Sequence, residues 1–394
     1  MTQHPFTFPH VFWASHLMRS KSAAAALVLL LLNGVAAAQP GPEAATKPNP
    51  ARPHHTADGF KNNYIGSVNK SFNDLVRWQT ERRERGLPQP ALQATPTQSP
   101  NLALIKSYPN GADSPRVPLV TWIGHSSVLV QAGGLNTLTD PIFSERASPV
   151  QIAGPKRAQP PGISLAGLPL IDVVLISHNH YDHLDQASVR EIARQSTAAG
   201  RPALFIVPLG FKLWFENLGI NNVVELDWWN KYTLRGVDFY LTPTQHWSAR
   251  GLGDRNQTLW GGFAVFAPDL HWYFSGDTGY SKDFIDTAAR FASRNALEQG
   301  GGFDMALLAI GGYEPRWFMK DQHINPEEAV NIHFDLGAKR SIGVHWGTFE
   351  MTDESLDEPP KALAAARQAK GLTTDDFSVM AIGETRLLAP RTKP

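Results

Sequence analysis

A short segment of the chain, residues 177–185, concentrates side chains that bind metal ions. It reads S-H-N-H-Y-D-H-L-D and places His178, His180, Asp182 and His183 within six positions. Imidazole and carboxylate groups are the usual protein ligands of zinc and its neighbours. His178 and His180 are two residues apart, so in an extended backbone both point to the same face. Asp182 and His183 follow after a turn and can face a second point nearby, so the spacing favours two metal ions over one.

The residues around this segment predict that it lies at the end of a buried strand. Residues 171–176 are mostly apolar and β-branched, which is typical of a strand covered on both faces. Asp185 is a good N-cap for a helix over residues 186–195. Such a strand would hold several metal-binding groups on one rigid edge.

The rest of the chain alternates predicted strands and helices. Further strands are predicted over residues 117–123, 127–131, 135–139, 203–207, 239–242, 263–267, 272–275, 305–310, 341–344 and 379–382. Further helices are predicted over residues 71–85, 211–218 and 326–337, the last capped by Asn325 with Pro326 in its first turn. Two successive β-then-α stretches predict the α/β class, as two sheets covered by helices in a four-layer αββα sandwich. In that arrangement, loops at one rim of the sandwich supply the ligands.

Three more candidate ligands follow the ends of predicted strands. His246 follows the strand predicted over 239–242, Asp277 follows the next-but-one strand, and His345 directly follows the strand over 341–344. Taken singly, each is more typical of a packed histidine or a turn. Together they extend the first segment to seven candidate ligands in the order H-x-H-x-D-H … H … D … H, and this ordered set indicates a dinuclear site.

Composition excludes several classes of function. The chain has 394 residues, 36 Lys and Arg against 36 Asp and Glu, and no cysteine. A neutral chain argues against a nucleic-acid enzyme, which normally presents a basic surface. Thiolate ligands, disulfides and cysteine nucleophiles are excluded outright, so a metal site must use nitrogen and oxygen ligands.

The N-terminal residues predict export. Arg19 and Lys21 precede an apolar run over 23–32, and three alanines at 36–38 resemble a cleavage site. We therefore predict a signal peptide over 1–38, a flexible Ala/Pro linker over 39–57 and one domain over 58–394, in a periplasmic or secreted protein. An uncleaved membrane anchor is the alternative, although about ten apolar residues are short for a span of about 20.

The predicted helix over 71–85 has two interpretations. It could lie on a lipid surface through its apolar side, or it could dock on the domain with its basic face in solvent. The second interpretation is favoured.

Motifs along most of the chain resemble a known family. They are T-D-P-I-F-S-E-R-A-S-P at 139–149, G-P-K-R at 154–157, D-V-V-L-I-S-H-N-H-Y-D-H-L-D at 172–185, V-P-L-G at 207–210, E-L-D-W-W at 225–229, T-Q-H-W at 244–247, S-G-D-T-G-Y at 275–280, Y-E-P-R-W-F-M-K at 313–320, Q-H-I-N-P-E-E-A-V at 322–330 and H-W-G-T-F at 345–349. Their order and contexts resemble the metallo-β-lactamase-fold hydrolases, and more closely the N-acyl-phosphatidylethanolamine-hydrolysing phospholipase D group. The resemblance implies a metallo-β-lactamase-like sandwich.

The resemblance also implies roles for the seven candidate ligands. His178, His180 and His246 would hold one zinc ion, and Asp182, His183 and His345 would hold the other. Asp277 would bridge the two Zn²⁺ ions, although iron or manganese would tolerate much of this ligation. A metal-bridging hydroxide would be the nucleophile, with Asp182 and Asp277 as the catalytic carboxylates.

Other residues are expected around the metals. Tyr181 could bind the substrate phosphate or simply pack against the site wall, and Gln322 and His323 resemble residues at the mouth of the family's active site. His125 and Asp140 lie in strand-end motifs and are expected to orient ligands. The aromatic residues at 228–229 and 313–319 are expected to pack in the core and in loops rather than to contact an acyl chain.

The resemblance and the ligand set predict a phospholipase D-type phosphodiesterase acting on a glycerophospholipid such as an N-acyl-phosphatidylethanolamine. A hydrolase of another ester or a lactone is the enzymatic alternative, since a fold does not fix a substrate. A periplasmic binding protein with a degenerate site is the non-catalytic alternative. The expected partners are a phospholipid or small ester and a peripheral membrane contact, with no nucleic acid; a homodimer stays open.

Overall fold

The computed structural model describes residues 52–108 and 117–392. The predicted signal peptide and most of the predicted linker lie outside the described residues.

Sixteen strands and eight helices make up the described part of the chain. The strands are β1 His55–Thr56, β2 Gly59–Phe60, β3 Leu119–Gly124, β4 Ser127–Ala132, β5 Leu135–Thr139, β6 Val173–Leu175, β7 Leu204–Pro208, β8 Val223–Leu226, β9 Lys231–Leu234, β10 Val237–Thr242, β11 Gly262–Phe266, β12 His271–Phe274, β13 Met305–Ala309, β14 Ser341–Val344, β15 Phe377–Val379 and β16 Thr385–Leu387. The helices are α1 Phe72–Glu84, α2 Leu102–Ser107, α3 Gln186–Ala198, α4 Lys212–Glu216, α5 Asp283–Arg290, α6 Arg316–Met319, α7 Pro326–Asp335 and α8 Glu358–Ala369.

Two seven-stranded mixed sheets form the body of the fold. One has the order β16-β3-β4-β5-β6-β7-β8 and the other β15-β14-β13-β12-β11-β10-β9. Strand β6 is parallel to β5 and β7, and β12 to β15 run parallel to one another in sheet order. Because the carboxyl ends of parallel strands meet at one edge of a sheet, residues that follow β6, β12 and β14 share such edges. This arrangement places the predicted ligands.

Alternating side chains cover both faces of the first sheet. Val173 and Leu175 of β6 belong to the large core that also contains residues of the second sheet, whereas Val174 belongs to a separate core with Val189 and Ile192 of α3. A period of two is the signature of a strand with two buried faces. The predicted layers, two sheets packed together with helices outside, are confirmed.

Local signals explain where the helices begin. Ser71 caps α1 in a capping box with Asp74, and Asn325 caps α7 in the same way with Glu328. Asp185 caps α3, as predicted. Within residues 52–108 and 117–392, no helix combines the length and the apolar character needed to cross a bilayer.

Some elements differ from the predictions. The strand predicted over 379–382 is wrong: β15 ends at Val379, and Ile382 lies in a loop where its backbone N–H donates to Pro96 and its carbonyl accepts from Gln98. Met380 and Ile382 are buried where the chain crosses from the second sheet to the first, so the apolar run resembles a strand in sequence without forming one. The short strands β8 and β9 and the helices α5 and α8 were not predicted.

The last six residues of the predicted linker are held on the domain. Residues 55–56 form β1, which pairs with β2, and the buried His54 contacts Asp227 with Nε2 2.6 Å from Oδ1. For residues 52–57 the linker prediction is corrected, because these side chains find buried partners far along the chain.

Candidate metal centre

The seven predicted ligands follow strand ends and converge at one place. His178, His180, Asp182 and His183 follow β6, and the other three each come from a loop after a strand of the second sheet. Those three are His246 after β10, Asp277 after β12 and His345 after β14. All but His180 and Asp182 are nearly inaccessible to solvent. The site therefore lies where the edges of the two sheets meet.

One donor cluster contains three imidazoles. His178 Nε2 lies 2.8 Å from His180 Nδ1, which lies 3.4 Å from His246 Nε2. Two ligand atoms at about 2.0 Å from one tetrahedral zinc ion are separated by about 3.3 Å. The three nitrogens are therefore spaced to hold one metal ion.

A second donor cluster lies beside the first. His183 Nε2 is 3.1 Å and His345 Nε2 is 3.4 Å from Asp182 Oδ2. Asp277 Oδ2 is 3.1 Å from His183 Nε2 and 3.2 Å from His345 Nε2. The same oxygen lies 3.9 Å from His178 Nε2 in the first cluster. Asp277 thus stands between the two clusters, and its carboxylate is placed to be shared.

The other ring nitrogen of four histidines is already engaged. His183 Nδ1 donates to Asp140 at 2.7 Å, and His178 Nδ1 lies 2.9 Å from Ser177 Oγ, whose hydroxyl donates to Asp140 at 2.6 Å. His246 Nδ1 donates to the Gln322 carbonyl, and His345 Nδ1 to a glycine carbonyl. Such partners fix the tautomer and aim Nε2 into the site.

The predicted orienting roles of Asp140 and His125 have a geometric basis. Asp140 is fully buried and receives hydrogen bonds from the backbone and side chain of Ser177 and from His183. His125 Nε2 donates to Asp182 Oδ2 at 2.9 Å, and its ring is near enough to the second cluster to be a further donor. His125, Asp140 and His345 all have positive φ angles, 54°, 32° and 62°. Non-glycine residues seldom adopt this conformation, which is typical of functional sites.

The charges of the site call for a cation. Burial lowers the pKa of His180 and of His246 to about 3, so both imidazoles are neutral and offer a lone pair. Burial also opposes charge on His345, but the carboxylates of Asp277 and Asp182 together outweigh burial and raise the pKa of His345 to about 9. Burial opposes the ionisation of Asp182 and Asp277, but His183 and the other neighbouring imidazoles together hold the pKa values of both carboxyl groups well below the usual range. A metal ion would supply the positive charge that these protons now supply.

Buried atoms without partners also fit a metal. Nε2 of His183, Nε2 of His345 and Oδ1 of Asp277 make no hydrogen bond of good geometry within the described residues. Buried polar atoms are normally satisfied, and an absent ion is one of the recognised reasons for an exception. The donor set contains only nitrogen and oxygen, which suits zinc and other divalent transition metals.

A loop held by one carboxylate frames the second cluster. Glu354 accepts hydrogen bonds from three consecutive backbone N–H groups, at 2.5 Å from Gly312, 3.1 Å from Tyr313 and 3.0 Å from Glu314. Gly311, just before them, has no room for a side chain, because a Cβ atom there would lie 2.2 Å from the carbonyl oxygen of His345. The loop and the His345 backbone are therefore closely packed.

A cavity of about 400 Å³ opens directly onto the donor clusters. His180, Asp182, Asp277 and His345 contribute to its floor. Its other lining residues include the apolar side chains Phe72, Leu75, Trp78, Trp247, Phe318, Met319 and Met351. Cavities of this size and character bind small organic ligands.

Helix α1 forms one wall of this cavity. Its buried Trp78 packs at 4.9 Å from the Phe318 ring and donates through Nε1 to Asp353 at 2.9 Å. The docked interpretation of this helix is supported, although Phe72 and Val76 remain exposed. Phe318 and Met319 line the cavity, so part of the 313–319 aromatic segment does more than pack in a loop.

The three predicted substrate residues are placed differently. Gln322 and His323 line the cavity, and His323 Nδ1 lies 3.9 Å from Asp277 Oδ2. Tyr181 is not among the lining residues; its hydroxyl donates to the Arg250 carbonyl at 2.9 Å, and its ring lies 4.1 Å from the Arg250 guanidinium. The structure thus brings two of the three to the cavity.

Two polar residues of the site were missed from the sequence. Arg250 donates through Nη1 to the carbonyls of Asn179 and Leu184, both at 2.8 Å, and so holds the ligand segment from outside. Asn62 bonds to the backbone of His246. Neither is a ligand type, and Asn62 lies 184 residues from its partner, so no local signal pointed to them.

The fold and the donor clusters define a metal-dependent hydrolase, and comparison with known proteins agrees. The sequence profile of the beta-lactamase superfamily domain matches residues 136–346. The N-acyl-phosphatidylethanolamine-hydrolyzing phospholipase D 1 of Caenorhabditis elegans is 42% identical over 275 residues, which cover 67% of this chain and 74% of that protein. The mitochondrial N-acyl-phosphatidylethanolamine-hydrolyzing phospholipase D of Saccharomyces cerevisiae is 38% identical over 251 residues, 62% of this chain and 50% of that protein. The chain therefore belongs to the beta-lactamase superfamily, in the same family as these phospholipase D proteins.

Solved structures agree on the fold. The isothiocyanate hydrolase from Delia radicum gut bacteria aligns with a TM-score of 0.53 at 19% identity, covering 69% of this chain and 99% of that one. A possible metal-dependent hydrolase from Veillonella parvula aligns with a TM-score of 0.51 at 16% identity, covering 69% of this chain and all of that one. At these identities the likeness concerns the fold alone.

Proposed function

We propose that this chain is a dinuclear zinc hydrolase that cleaves a phosphodiester bond of a glycerophospholipid in the phospholipase D sense. Its products would be a phosphatidic acid and an N-acylethanolamine-like alcohol. The observation that carries the proposal is the pair of donor clusters that share Asp277 beneath a largely apolar cavity. The two phospholipase D relatives support the choice of substrate class.

In this proposal His178, His180 and His246 hold one zinc ion, Asp182, His183 and His345 hold the other, and Asp277 contacts both. When bound, such a pair supplies Lewis-acid stabilisation of phosphoryl oxygens and a water of lowered pKa at neutral pH. No serine or cysteine nucleophile is then required.

The chain's own groups would bind and orient the substrate. His323 lines the cavity beside Asp277, and burial lowers its pKa to about 3, so its imidazole is neutral and can donate or accept one hydrogen bond. Gln322 is held by its side-chain nitrogen, which donates to Met319 Sδ at 3.2 Å. The backbone carbonyl of Gln322 also accepts a hydrogen bond from His246 Nδ1, so Gln322 connects the cavity wall to the first cluster.

The cavity lining suits a phospholipid. Phe72, Leu75 and Trp78 face the same space as Phe318 and Met319, which provides apolar contact for an acyl chain. Lys70 and Arg255 also line it, and Arg255 stacks at 4.0 Å from the Trp247 ring with no carboxylate partner among the described residues. The Arg255 guanidinium donates to the Val68 carbonyl, which leaves its positive charge, near the donor clusters, without a counter-ion in the described part of the chain. Such a charge favours an anionic substrate over a neutral lactone.

The test is product analysis with zinc-loaded protein and vesicles of mixed phospholipids that include N-acyl-phosphatidylethanolamine. We expect phosphatidic acid and N-acylethanolamine in the mass spectrum, about two zinc ions per chain, and loss of both turnover and one metal in Asp277→Asn. Asp375→Asn, on the exposed surface, is the matched control and should behave as the unchanged protein. Lactone or simple ester hydrolysis without lipid turnover would refute the lipid assignment, and binding of no more than one metal ion per chain would refute the dinuclear site.

The location of the protein is a separate proposal that rests on the sequence alone. We propose export to the periplasm or medium with cleavage near Ala38, and contact with membranes only at the periphery. N-terminal sequencing of the protein from fractionated cells tests this. An intact N-terminus in the membrane fraction would favour the anchored alternative.

A further inference from the structure

Residues 52–70, which we call the N-terminal strap, are tied to the domain at several separate points. The strap precedes residues 136–346, the part matched by the superfamily profile. Its end at Arg52, His54 and His55 contacts Asp227. Its other contacts are Phe60 to Asn256, Asn62 to His246, Asn63 to Asp283, Tyr64 to Asp286, Val68 to Arg255 and Lys70 to Asp321.

The Asn62 contact differs from the others because it reaches the metal centre. Asn62 Nδ2 donates to the His246 carbonyl at 3.0 Å, and the His246 backbone N–H donates to Asn62 Oδ1 at 2.9 Å. Asn62 is buried, with 2% of the residue exposed. One amide therefore satisfies both backbone groups of a residue in the first donor cluster.

The backbone at His246 needs this partner. The preceding residue, Gln245, forms a bridge with Gly279 on one side of the extended segment. In an extended chain the backbone groups of the next residue point to the opposite side, where the strap passes. Buried N–H and C=O groups are costly when unpaired, and the amide of Asn62 supplies a donor and an acceptor in one rigid unit.

With Asn62 in place, His246 is fixed at three atoms. Its N–H and C=O bind Asn62, and its Nδ1 donates to the Gln322 carbonyl at 2.9 Å. Only Nε2 remains, directed at His180 and Asp277. By contrast, the hydrogen bonds of the other strap side chains within the described part of the chain reach residues outside the second cluster, such as Asp227, Asp283 and Asp321.

We propose that Asn62 is a positioning residue that sets His246 for metal binding and therefore tunes the affinity of one metal site only. This inference rests on the proposed function, because it takes His246 as a metal ligand. It means that a segment outside the matched superfamily region completes the first donor cluster.

The experiment measures metal binding rather than turnover. Apo protein, prepared by dialysis against a chelator, is titrated with Zn²⁺ in competition with a fluorescent chelator, and with Co²⁺ while the visible absorption bands are recorded. The variants are Asn62→Ala and the isosteric Asn62→Asp, whose carboxylate can accept from the His246 N–H but repels its carbonyl. Asn63→Ala is the matched control, because Asn63 bonds Asp283 from the same strap at 2.7 Å and leaves His246 untouched.

We expect one zinc ion to bind about 10- to 100-fold more weakly in both Asn62 variants, the range typical of groups that orient metal ligands. The second ion should keep its affinity, and Asn63→Ala should match the unchanged protein. Two unaltered affinities in both Asn62 variants would overturn the inference. Equal weakening of both ions, shared with Asn63→Ala, would also overturn it, because the strap would then be a general support. Failure of the unchanged protein to bind two ions would instead overturn the proposed function.

Discussion

Replacing Trp78 should separate recognition of the lipid chain from the chemistry. Trp78 is buried in the cavity wall, with its ring on Phe318 and its Nε1 on Asp353. Trp78→Ala removes a wall that would cover roughly 40–80 Å² of an acyl chain. At about 25 cal/mol per Å² that is about 1–2 kcal/mol, or roughly a 5- to 30-fold loss in kcat/KM for a long-chain substrate. A short-chain, water-soluble phosphodiester with the same headgroup should lose far less.

The same substitution should loosen helix α1. Deleting a buried tryptophan side chain typically costs about 3–5 kcal/mol, and hydrogen exchange of the amides in α1 should rise accordingly. Trp78→Phe keeps a ring against Phe318 but removes the donor to the Asp353 carboxylate, which costs about 1.5–3 kcal/mol. This variant should also speed exchange, with little change in preference for long chains.

The assay is the ratio of kcat/KM for the long-chain and short-chain substrates at equal zinc loading. Val76→Ala is the control, because Val76 lies on the same helix but is 47% exposed. An equal loss for both substrates in Trp78→Ala would refute the assignment of this wall to the acyl chain. The same ratio change in Val76→Ala would also refute it.

Three other substitutions test the site and the fold. Gly311→Ala should displace the His345 backbone, and so lower stability by about 2 kcal/mol or more and weaken zinc binding in chelator competition. Gly253→Ala is the control, because a Cβ atom there meets nothing within 4 Å, and it should change neither stability nor zinc binding. Glu354→Gln should lower stability in urea by about 1–3 kcal/mol, because one amide oxygen cannot replace a carboxylate that accepts three backbone hydrogen bonds; an unchanged midpoint would show that the loop does not need this anchor. Burial lowers the pKa of His271 to about 4, so as the pH falls the unfolded chain protonates this histidine before the folded protein does. The free energy of unfolding should therefore decrease as the pH drops from about 6.5 to 4. His271→Gln should reduce the dependence of this free energy on pH by up to one proton.

The convergence of the seven candidate ligands could be predicted because its signal is local. Each candidate ligand lies in a loop that follows an apolar strand. Since the ends of parallel strands meet at one edge of a sheet, residue type and order were sufficient to predict that these side chains converge. The strands β3 to β7 and β10 to β14 could be predicted for the same reason, since buried strands read as apolar runs. The edge strands β8 and β9 could not, because they are short and half-buried and carry polar residues such as Glu225 and Lys231.

The contacts that complete the site could not be predicted from the sequence. Asn62 meets His246 across 184 residues, and Trp78 meets Asp353 across 275 residues. The pattern of apolar and basic residues over 71–85 predicted a helix but not the surface against which it docks. An asparagine in a polar stretch has no periodicity or ligand chemistry that would distinguish it, so only the folded chain identifies its partner.

The position of β16 has a consequence for folding during synthesis. Thr385–Leu387 pairs with β3, at Leu119–Gly124, and so covers the edge of the first sheet. During synthesis that apolar edge emerges from the ribosome long before its partner. An unpaired, apolar edge strand is a template for association with other chains. We therefore expect that the nascent chain needs either rapid completion or a chaperone. Ribosome stalling after β3 and before β16 should increase its aggregation.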